Sequence, residues 1–187
     1  MFFRKMLVLV MLAVLSIPVM GYAQDSGEES LVLFIGTVTG VPDEFVGLAV
    51  EGENVTLYIC DGKADEGTVS IAQWFVGTVA DNTIDITAPN GNRVQVTLTE
   101  DAATGTFTFT DGSTRDFVLA LAEGEAALYR SDFAFGDEEF VLGWLVLADG
   151  SLRGAGFVKS TGELFPATLE RPGTRLCLTI GCSGAPE

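Results

Sequence analysis

The sequence predicts an all-β protein, and three observations support this prediction. Short runs rich in Val, Thr, Phe, Leu and Ile alternate with a period of two, as in residues 104–110, where threonines alternate with Gly105, Phe107 and Phe109. Such alternation is typical of strands that bury one face. Asp-Gly and Asn-Gly pairs separate the runs and favour the positive φ angles of tight hairpin turns. After residue 23, no segment of ten or more residues has convincing helical spacing.

The first 23 residues have the features of a secretory signal peptide. Arg4 and Lys5 precede an apolar run over residues 6–20, and small residues lead up to a cleavage site after Ala23. An uncleaved membrane anchor is the alternative. The apolar run is shorter than the roughly 20 residues that a spanning helix needs, and Pro18 lies near its end. We therefore expect export, removal of residues 1–23, and no stable membrane insertion of the mature chain.

The charge is strongly negative throughout. The chain of 187 residues has 10 Lys and Arg against 26 Asp and Glu, a formal net charge of −16. Two of the basic residues lie in the leader, so cleavage would change the net charge to −18. Such a surface repels phosphate, which argues against nucleic acid as a partner and favours solubility or a basic or cationic extracellular partner. The partner itself stays unknown from sequence.

The mature chain divides into three parts. Residues 24–30 are acidic and polar, and we expect a disordered lead-in there. Residues 31–170 carry the strand signals and form one predicted β-domain. Residues 171–187 begin with Arg-Pro-Gly and form a C-terminal tail with two cysteines.

The strand signals predict an antiparallel meander. Short runs joined by short turns pair antiparallel, and no helical crossover supports parallel pairing. Because an open sheet of this many strands would expose long edges, we expect closure into a barrel, with a β-sandwich as the alternative. An outer-membrane barrel is less favoured because Tyr and Trp are too few for two aromatic girdles. The predicted strands are roughly 31–39, 45–51, 54–60, 68–79, 82–88, 92–99, 103–110, 114–121, 126–131, 139–148, 151–158 and 163–169.

Most catalytic and metal-binding chemistry lacks its residues in this chain. There is no histidine, which removes the commonest general base, the commonest transition-metal ligand and every Ser-His or Cys-His mechanism. Lys63 and Lys159 do not stand in a Ser-x-x-Lys pattern. The acidic segments 61–66 and 132–139 lack the alternating ligands of a calcium loop. We therefore predict no catalytic residues, no metal site and no cofactor.

A few aromatic residues are the remaining candidates for ligand recognition. Tyr58, Trp74 and Tyr129 would suit a cavity that binds a sugar or a small apolar ligand. The alternative is that the tryptophans fill the core. Trp144 lies in a run that is apolar on both faces and is predicted to be core.

Three cysteines allow at most one internal disulfide in an exported protein. Cys177 and Cys182 are separated by Leu-Thr-Ile-Gly, and we predict a local bridge between them with Cys60 as a buried thiol. The competing possibility joins Cys60 to Cys177 or Cys182 and would close a much longer loop.

Four phrases occur in order along the chain: Tyr58-Ile59-Cys60-Asp61-Gly62, Trp74-Phe75-Val76-Gly77, Leu128-Tyr129-Arg130 and Gly143-Trp144-Leu145-Val146-Leu147-Ala148-Asp149-Gly150. In this combination the chain resembles a group of exported bacterial β-rich proteins that carry a Tyr-Val-Cys-Asp-Gly-like phrase, a Leu-Tyr-Arg phrase and a Gly-Trp-x-Val-Leu-x-Asp-Gly hairpin. The match covers about residues 55–155. The group has no established activity, so the resemblance implies export and a β-meander, without a mechanism.

These observations favour a secreted or cell-envelope β-domain with an interaction or structural role, and no enzymatic activity. A small-ligand-binding barrel for apolar or sugar ligands is the second hypothesis. A carboxylate-based hydrolase is the third. The barrel interior distinguishes them, because a filled barrel favours the first hypothesis and an open apolar pocket the second, whereas two facing carboxylates in a cleft favour the hydrolase.

Overall fold

The computed structural model describes residues 30–168 and the backbone of residues 177–178. This part of the chain contains strands and no helix, which confirms the all-β prediction; it therefore holds no helix that could cross a membrane. The predicted signal peptide (1–23), most of the lead-in, Cys182 and the side chain of Cys177 lie outside the described residues. The strands are β1 (Leu31–Val38), β2 (Val41–Glu51), β3 (Asn54–Cys60), β4 (Ala72–Ala80), β5 (Thr83–Thr87), β6 (Arg93–Leu98), β7 (Ala102–Thr108), β8 (Thr114–Leu121), β9 (Ala127–Phe135), β10 (Glu138–Val146), β11 (Leu152–Val158), β12 (Leu164–Pro166) and β13 (Cys177–Leu178).

The first eight strands form a closed antiparallel barrel. Each strand pairs with the next, and β8 returns to β1 with Phe34 opposite Leu121 and Val38 opposite Phe117. The predicted meander and its closure are therefore confirmed. The closure uses only these eight strands, because the remaining strands form a separate five-stranded sheet in the order β12-β11-β10-β9-β13.

One predicted strand begins later than expected. The strand predicted from residue 68 starts at Ala72, because residues 61–71 form a loop instead. The Asp61 carboxylate accepts hydrogen bonds from the backbone nitrogens of Ser70 (2.8 Å) and Ile71 (2.9 Å), and Lys63 pairs with Thr68 in an isolated bridge. These bonds replace a strand ladder.

Apolar side chains fill the barrel interior. Alternate residues of each strand point inward, as the period of two requires. Phe107 and Phe75 pack edge to face with their ring centroids 5.6 Å apart. The fully or nearly fully buried interior residues include Val46, Leu48, Val55, Leu57, Ile59, Phe75, Ile84, Val94, Val96, Phe107, Phe117 and Leu119.

The second sheet packs against the outer face of β1–β4. The Tyr58 hydroxyl donates a buried hydrogen bond of 3.0 Å to the Ala155 carbonyl. The Gly154 amide donates to the Gly62 carbonyl at 3.0 Å. The apolar residues of this interface are Ile35, Phe45, Ala49, Tyr58, Cys60, Ala72 and Trp74 from the barrel side, and Leu128, Val141, Leu145 and Ala155 from the sheet.

Glycines allow the two layers to approach this closely. A Cβ on Gly143 would lie 2.5 Å from Tyr58 Cζ and 2.6 Å from Trp74 Cζ2. A Cβ on Gly47 would lie 2.5 Å from a Leu145 methyl carbon, and one on Gly62 would overlap the backbone of β11. The interface therefore depends on the missing side chains at these three positions.

Among the neighbouring strands of the barrel, β4 and β5 share the fewest paired residues. These strands share two residue pairs, Val79 with Ile84 and Ala80 with Thr83, next to a tight turn in which Asp81 (φ 51°) and Asn82 (φ 58°) adopt left-handed conformations. Beyond these two pairs, on the side away from the turn, the two strands diverge. We call this diverging junction the β4–β5 seam.

A buried ion pair lies near one end of the barrel. The Glu44 side chain is 1% exposed and pairs with the Arg115 guanidinium, which also lies over the Phe109 ring at 4.6 Å from its centroid. The second carboxylate oxygen of Glu44, Oε1, is buried without a hydrogen-bond partner in the described structure.

We expect the substitution Gly143→Ala to lower the free energy of unfolding by about 1–3 kcal/mol, the usual cost of overpacking a core. The added carbon would overlap the stacked rings of Tyr58 and Trp74. Urea unfolding followed by circular dichroism measures this change. As the control, Asp137→Ala in the turn before this strand changes an exposed side chain without an ion pair to a described residue and should change stability by no more than about 0.5 kcal/mol. Equal stability of the Gly143 variant and the wild type would contradict the described packing.

A second stability prediction concerns the Glu44–Arg115 pair. Arg115→Ala should cost about 3 kcal/mol, because it leaves a buried carboxylate without its counter-charge; this is the low end for buried pairs, since Arg115 is 34% exposed. The double substitution Glu44→Leu with Arg115→Met should recover most of that loss, because it removes both charges. Thermal or urea unfolding compares the three proteins. A double variant no more stable than Arg115→Ala would show that the unpaired carboxylate is not the cause.

Candidate functional site

Two of the three predicted ligand residues stack on each other between the layers. The rings of Tyr58 and Trp74 have centroids 4.2 Å apart and an interplanar angle of 24°. Tyr58 is fully buried and Trp74 is 8% exposed. Burial raises the pKa of the Tyr58 hydroxyl well above its usual range. Both rings therefore serve the interface between barrel and sheet.

Tyr129 lies on the other face of the second sheet. On β9, Leu128 packs toward the barrel, whereas Tyr129 packs against the cluster of Leu142 and Trp144 on the outward face. The neighbouring Arg130 lies over the Trp74 ring, 4.9 Å from its centroid. Tyr58, Trp74 and Tyr129 therefore do not line a common cavity.

The phrases that carry the sequence resemblance meet at this interface. Tyr58 and Trp74 come from the first two phrases, Arg130 from the third and Gly143 from the fourth, and they lie in one contact region. Their proximity gives the four phrases a structural role in joining sheet to barrel. Trp144 from the last phrase is fully buried on the opposite face, as predicted for a core residue.

The outward face of the second sheet carries an exposed aromatic patch, formed by Phe133, Phe135, Phe140, Phe165 and Pro166. Phe135 is 80% exposed and Phe133 is 41% exposed. The rings of Phe133 and Phe140 stack with centroids 5.0 Å apart, and Phe165 meets Phe140 edge to face at 6.1 Å. These rings border a shallow hollow of about 510 Å³.

The sheet geometry determines how these rings meet. In the pairing of β9 with β10, Phe133 lies opposite Phe140, and Phe135 lies opposite Glu138 at the hairpin end. Phe165 on β12 lies opposite Gly156 on β11. A Cβ at Gly156 would come within 2.7 Å of the Phe165 ring, so this glycine lets the ring lie flat on the sheet.

Four acidic residues lie on the hairpin that carries the aromatic patch. Asp132, Asp137, Glu138 and Glu139 belong to the same hairpin. Arg130 and Lys159 neutralise part of this charge, and the hydrogen bond from Arg130 is the main cause that lowers the pKa of Asp132. Asp137 and Glu138 form no ion pair with a described residue, and Glu138 accepts a 2.6 Å hydrogen bond from Ser160.

The patch was not among the sequence-based candidates. Residues 132–139 were interpreted as an acidic loop, whereas β9 continues to Phe135 and turns through Gly136 (φ 63°) into β10. The alternation of Phe133 and Phe135 with the residues between them was the available signal. The sequence could not show that, within the part of the chain that the structure describes, the outward face of this hairpin leaves Phe133 and Phe135 exposed.

Asp85 and Asp116, two carboxylates that line one hollow on the barrel surface, lie too far apart for a hydrolase pair. Asp85 and Asp116 lie in one cross-strand row with Gln95 and Thr106 between them, so three strand spacings separate them. That is roughly 14 Å at ~4.8 Å per strand, beyond the roughly 5–9.5 Å of glycosidase carboxylates. Hydrogen bonding from Arg93 also lowers the pKa of Asp85, which disfavours it as a proton donor. Among residues 30–168, no cluster of three His, Cys, Asp or Glu could hold a metal.

Cys60 is a buried free thiol in the interface. Its Sγ accepts a hydrogen bond of 3.2 Å from the Gly62 amide, and burial raises its pKa to about 11. Cys60 lies on β3, which contacts β11 of the second sheet. Cys177 lies on β13, and β13 is three strands away from β11 in the order of that sheet. The alternative bridge from Cys60 to Cys177 therefore does not fit, because bridged Cα atoms lie within about 7 Å. The predicted Cys177–Cys182 bridge lies outside the described side chains.

Comparison with known proteins gives no relative: no protein-family model, curated protein or solved structure matches this chain.

The cysteine environment gives a prediction that also tests the predicted disulfide. We expect the folded, unreduced protein to react negligibly with a thiol reagent at pH 8, because Cys60 is buried and its raised pKa keeps it protonated. Denaturation without reductant should expose one thiol per chain, and prior reduction should expose three. Three thiols before reduction would rule out the Cys177–Cys182 bridge. Rapid reaction of the folded protein would contradict the burial of Cys60.

Proposed function

We propose that this protein is an exported, non-catalytic interaction domain that binds a polypeptide partner through the aromatic patch of its second sheet. The observation that carries this proposal is the 80% exposure of Phe135 beside the stacked rings of Phe133 and Phe140. Adjacent exposed aromatic rings are typical of interaction surfaces.

The barrel supports this proposal as a rigid scaffold. Its interior is filled by packed apolar side chains of the described residues, which favours a function on the surface. Exposed positions on β5–β7 carry Thr, Asp, Gln and Arg, which are side chains suited to contact with water. Among the described residues, the second sheet is the layer that presents exposed aromatic rings, those of Phe133 and Phe135.

The surrounding charge defines the partner's chemistry. A segment with Phe, Leu or Trp side chains would add apolar area to the patch. Lys or Arg residues next to them would face Asp137 and Glu138, which lack ion pairs within the described part of the chain. The proposed partner is therefore an extracellular or envelope polypeptide with apolar residues between basic ones. Export follows from the predicted signal peptide and belongs to the same proposal.

Peptide binding tests this function. We expect the protein to bind fluorescent peptides that carry Leu or Phe between Lys residues, and to bind matched peptides with Glu in place of Lys much more weakly. The double substitution Phe133→Ser with Phe135→Ser should weaken binding to the Lys peptides at least ten-fold, because it removes the exposed apolar contact. Fluorescence anisotropy at two salt concentrations measures affinity and its electrostatic part.

The control variant replaces two exposed apolar residues outside the aromatic patch. Val76 is 64% exposed and Val118 is 60% exposed, and both lie on barrel strands. The substitutions Val76→Ser and Val118→Ser should leave peptide affinity unchanged, and thermal melting verifies that both double variants are folded. Equal loss of binding in the two variants, or the absence of binding in the wild type, would reject the proposal.

A further inference from the structure

A second concave site lies at the β4–β5 seam, away from the aromatic patch. Its volume is about 530 Å³, within the range of roughly 300–1,000 Å³ that is usual for small-ligand sites. One wall comes from the barrel, and the other comes from Phe157, Lys159 and Leu164 on β11 and the segment that follows it. Clefts between two packed units are a common location for ligand sites. We call this hollow the seam cleft.

The seam cleft exists because β4 and β5 diverge. β4 pairs with β3 from Ala72 to Thr78 but with β5 only at Val79 and Ala80. At the diverged end, side chains replace the strand ladder: the Asn90 amide donates to Gln73 Oε1 at 2.6 Å, and Gln73 Nε2 donates to the Trp74 carbonyl at 3.0 Å. Two amide side chains therefore close the barrel here and border the cleft.

These amides retain hydrogen-bonding capacity. Each amide nitrogen carries two donor hydrogens. Within the described residues, the amide nitrogens of Gln73 and Asn90 each donate one bond. Asn92 accepts a bond from the Thr110 amide at 3.2 Å through its oxygen and donates none through its nitrogen. Three side-chain amides can therefore donate hydrogen bonds to a molecule in the cleft.

The apolar side of the cleft is held in place. Phe109 meets Phe107 edge to face at 4.5 Å, and the Arg115 guanidinium covers the Phe109 ring. The buried Glu44 carboxylate fixes Arg115 through its ion pair. The Phe109 ring is therefore held by two neighbouring side chains, which favours a preformed wall of the cleft.

Charge selects against an ionic ligand. Lys159 is the one charged side chain among the described residues that line the cleft, and it already pairs with Glu139 at 3.0 Å and Asp132 at 3.8 Å. The net charge of −16 repels anions, and the lining has no carboxylate to attract a cation.

We propose that the seam cleft binds a neutral saccharide. A sugar ring has apolar C–H groups that suit Phe109 on the barrel wall of the cleft and Phe157 on the other wall. Its hydroxyl groups both donate and accept hydrogen bonds, as the amides of Gln73, Asn90 and Asn92 do. An apolar ligand would leave these amides without partners at a cost in affinity. This site is independent of the aromatic patch and of the proposed peptide binding.

The experiment uses the whole protein and an array of neutral and anionic oligosaccharides. We expect the protein to bind at least one neutral oligosaccharide. We expect no binding that depends on a carboxylate or sulfate group of the oligosaccharide. Titration calorimetry with the best neutral oligosaccharide should show at least a ten-fold loss of affinity for Asn90→Ala. Gln95→Ala, which changes an exposed amide on β6 outside the cleft, should bind as the wild type does.

Amide chemical-shift mapping on the wild type keeps the test valid if Asn90→Ala does not fold. Shifts caused by the oligosaccharide should cluster at residues 70–73, 89–92, 109 and 157–164. Binding of no neutral oligosaccharide, shifts that cluster at the aromatic patch or elsewhere, or an unchanged affinity of folded Asn90→Ala would each overturn the proposal. Peptide binding by the aromatic patch does not depend on any of these outcomes.

Discussion

The close approach of the second sheet to the barrel is the constraint on which the rest of this structure depends. Two β-layers normally pack about 10 Å apart with side chains from both faces between them. Here, Gly47, Gly62 and Gly143 supply no side chain where Leu145, the β11 backbone and the Tyr58–Trp74 stack need the space. The Tyr58 hydroxyl can then reach the Ala155 carbonyl, which satisfies a polar group that is otherwise fully buried.

This contact buries the residues that looked best suited to ligand binding and leaves function to the surfaces. Apolar side chains fill the barrel interior, and its largest aromatic groups either lie in that interior or join the layers. A filled barrel is a stiff support. The second sheet uses that support on one face and presents Phe133 and Phe135 on the other.

Electrostatics connect the scaffold with its proposed partners. Basic side chains are few, and several of them form ion pairs within the described structure. Arg153 pairs with Asp43 across the two layers, Arg115 pairs with Glu44, and Lys159 pairs with Glu139. The excess of acids therefore remains on the surface with little internal compensation. A basic polypeptide is attracted to such a surface, whereas a neutral saccharide is unaffected by it. The two proposed sites thus differ in the physical force that would select their ligands.

The sequence by itself determined the all-β class, the antiparallel meander and the absence of histidine chemistry, because period-two alternation, turn pairs and composition are local properties. It also indicated the buried state of Trp144 and Cys60. Only the tertiary structure decided that closure occurs after β8, that Tyr58 and Trp74 meet while Tyr129 faces away, and that Phe133 and Phe135 are exposed. These features depend on which faces of distant strands come together. Alternation shows that a strand has two faces, and packing between layers decides which face is covered.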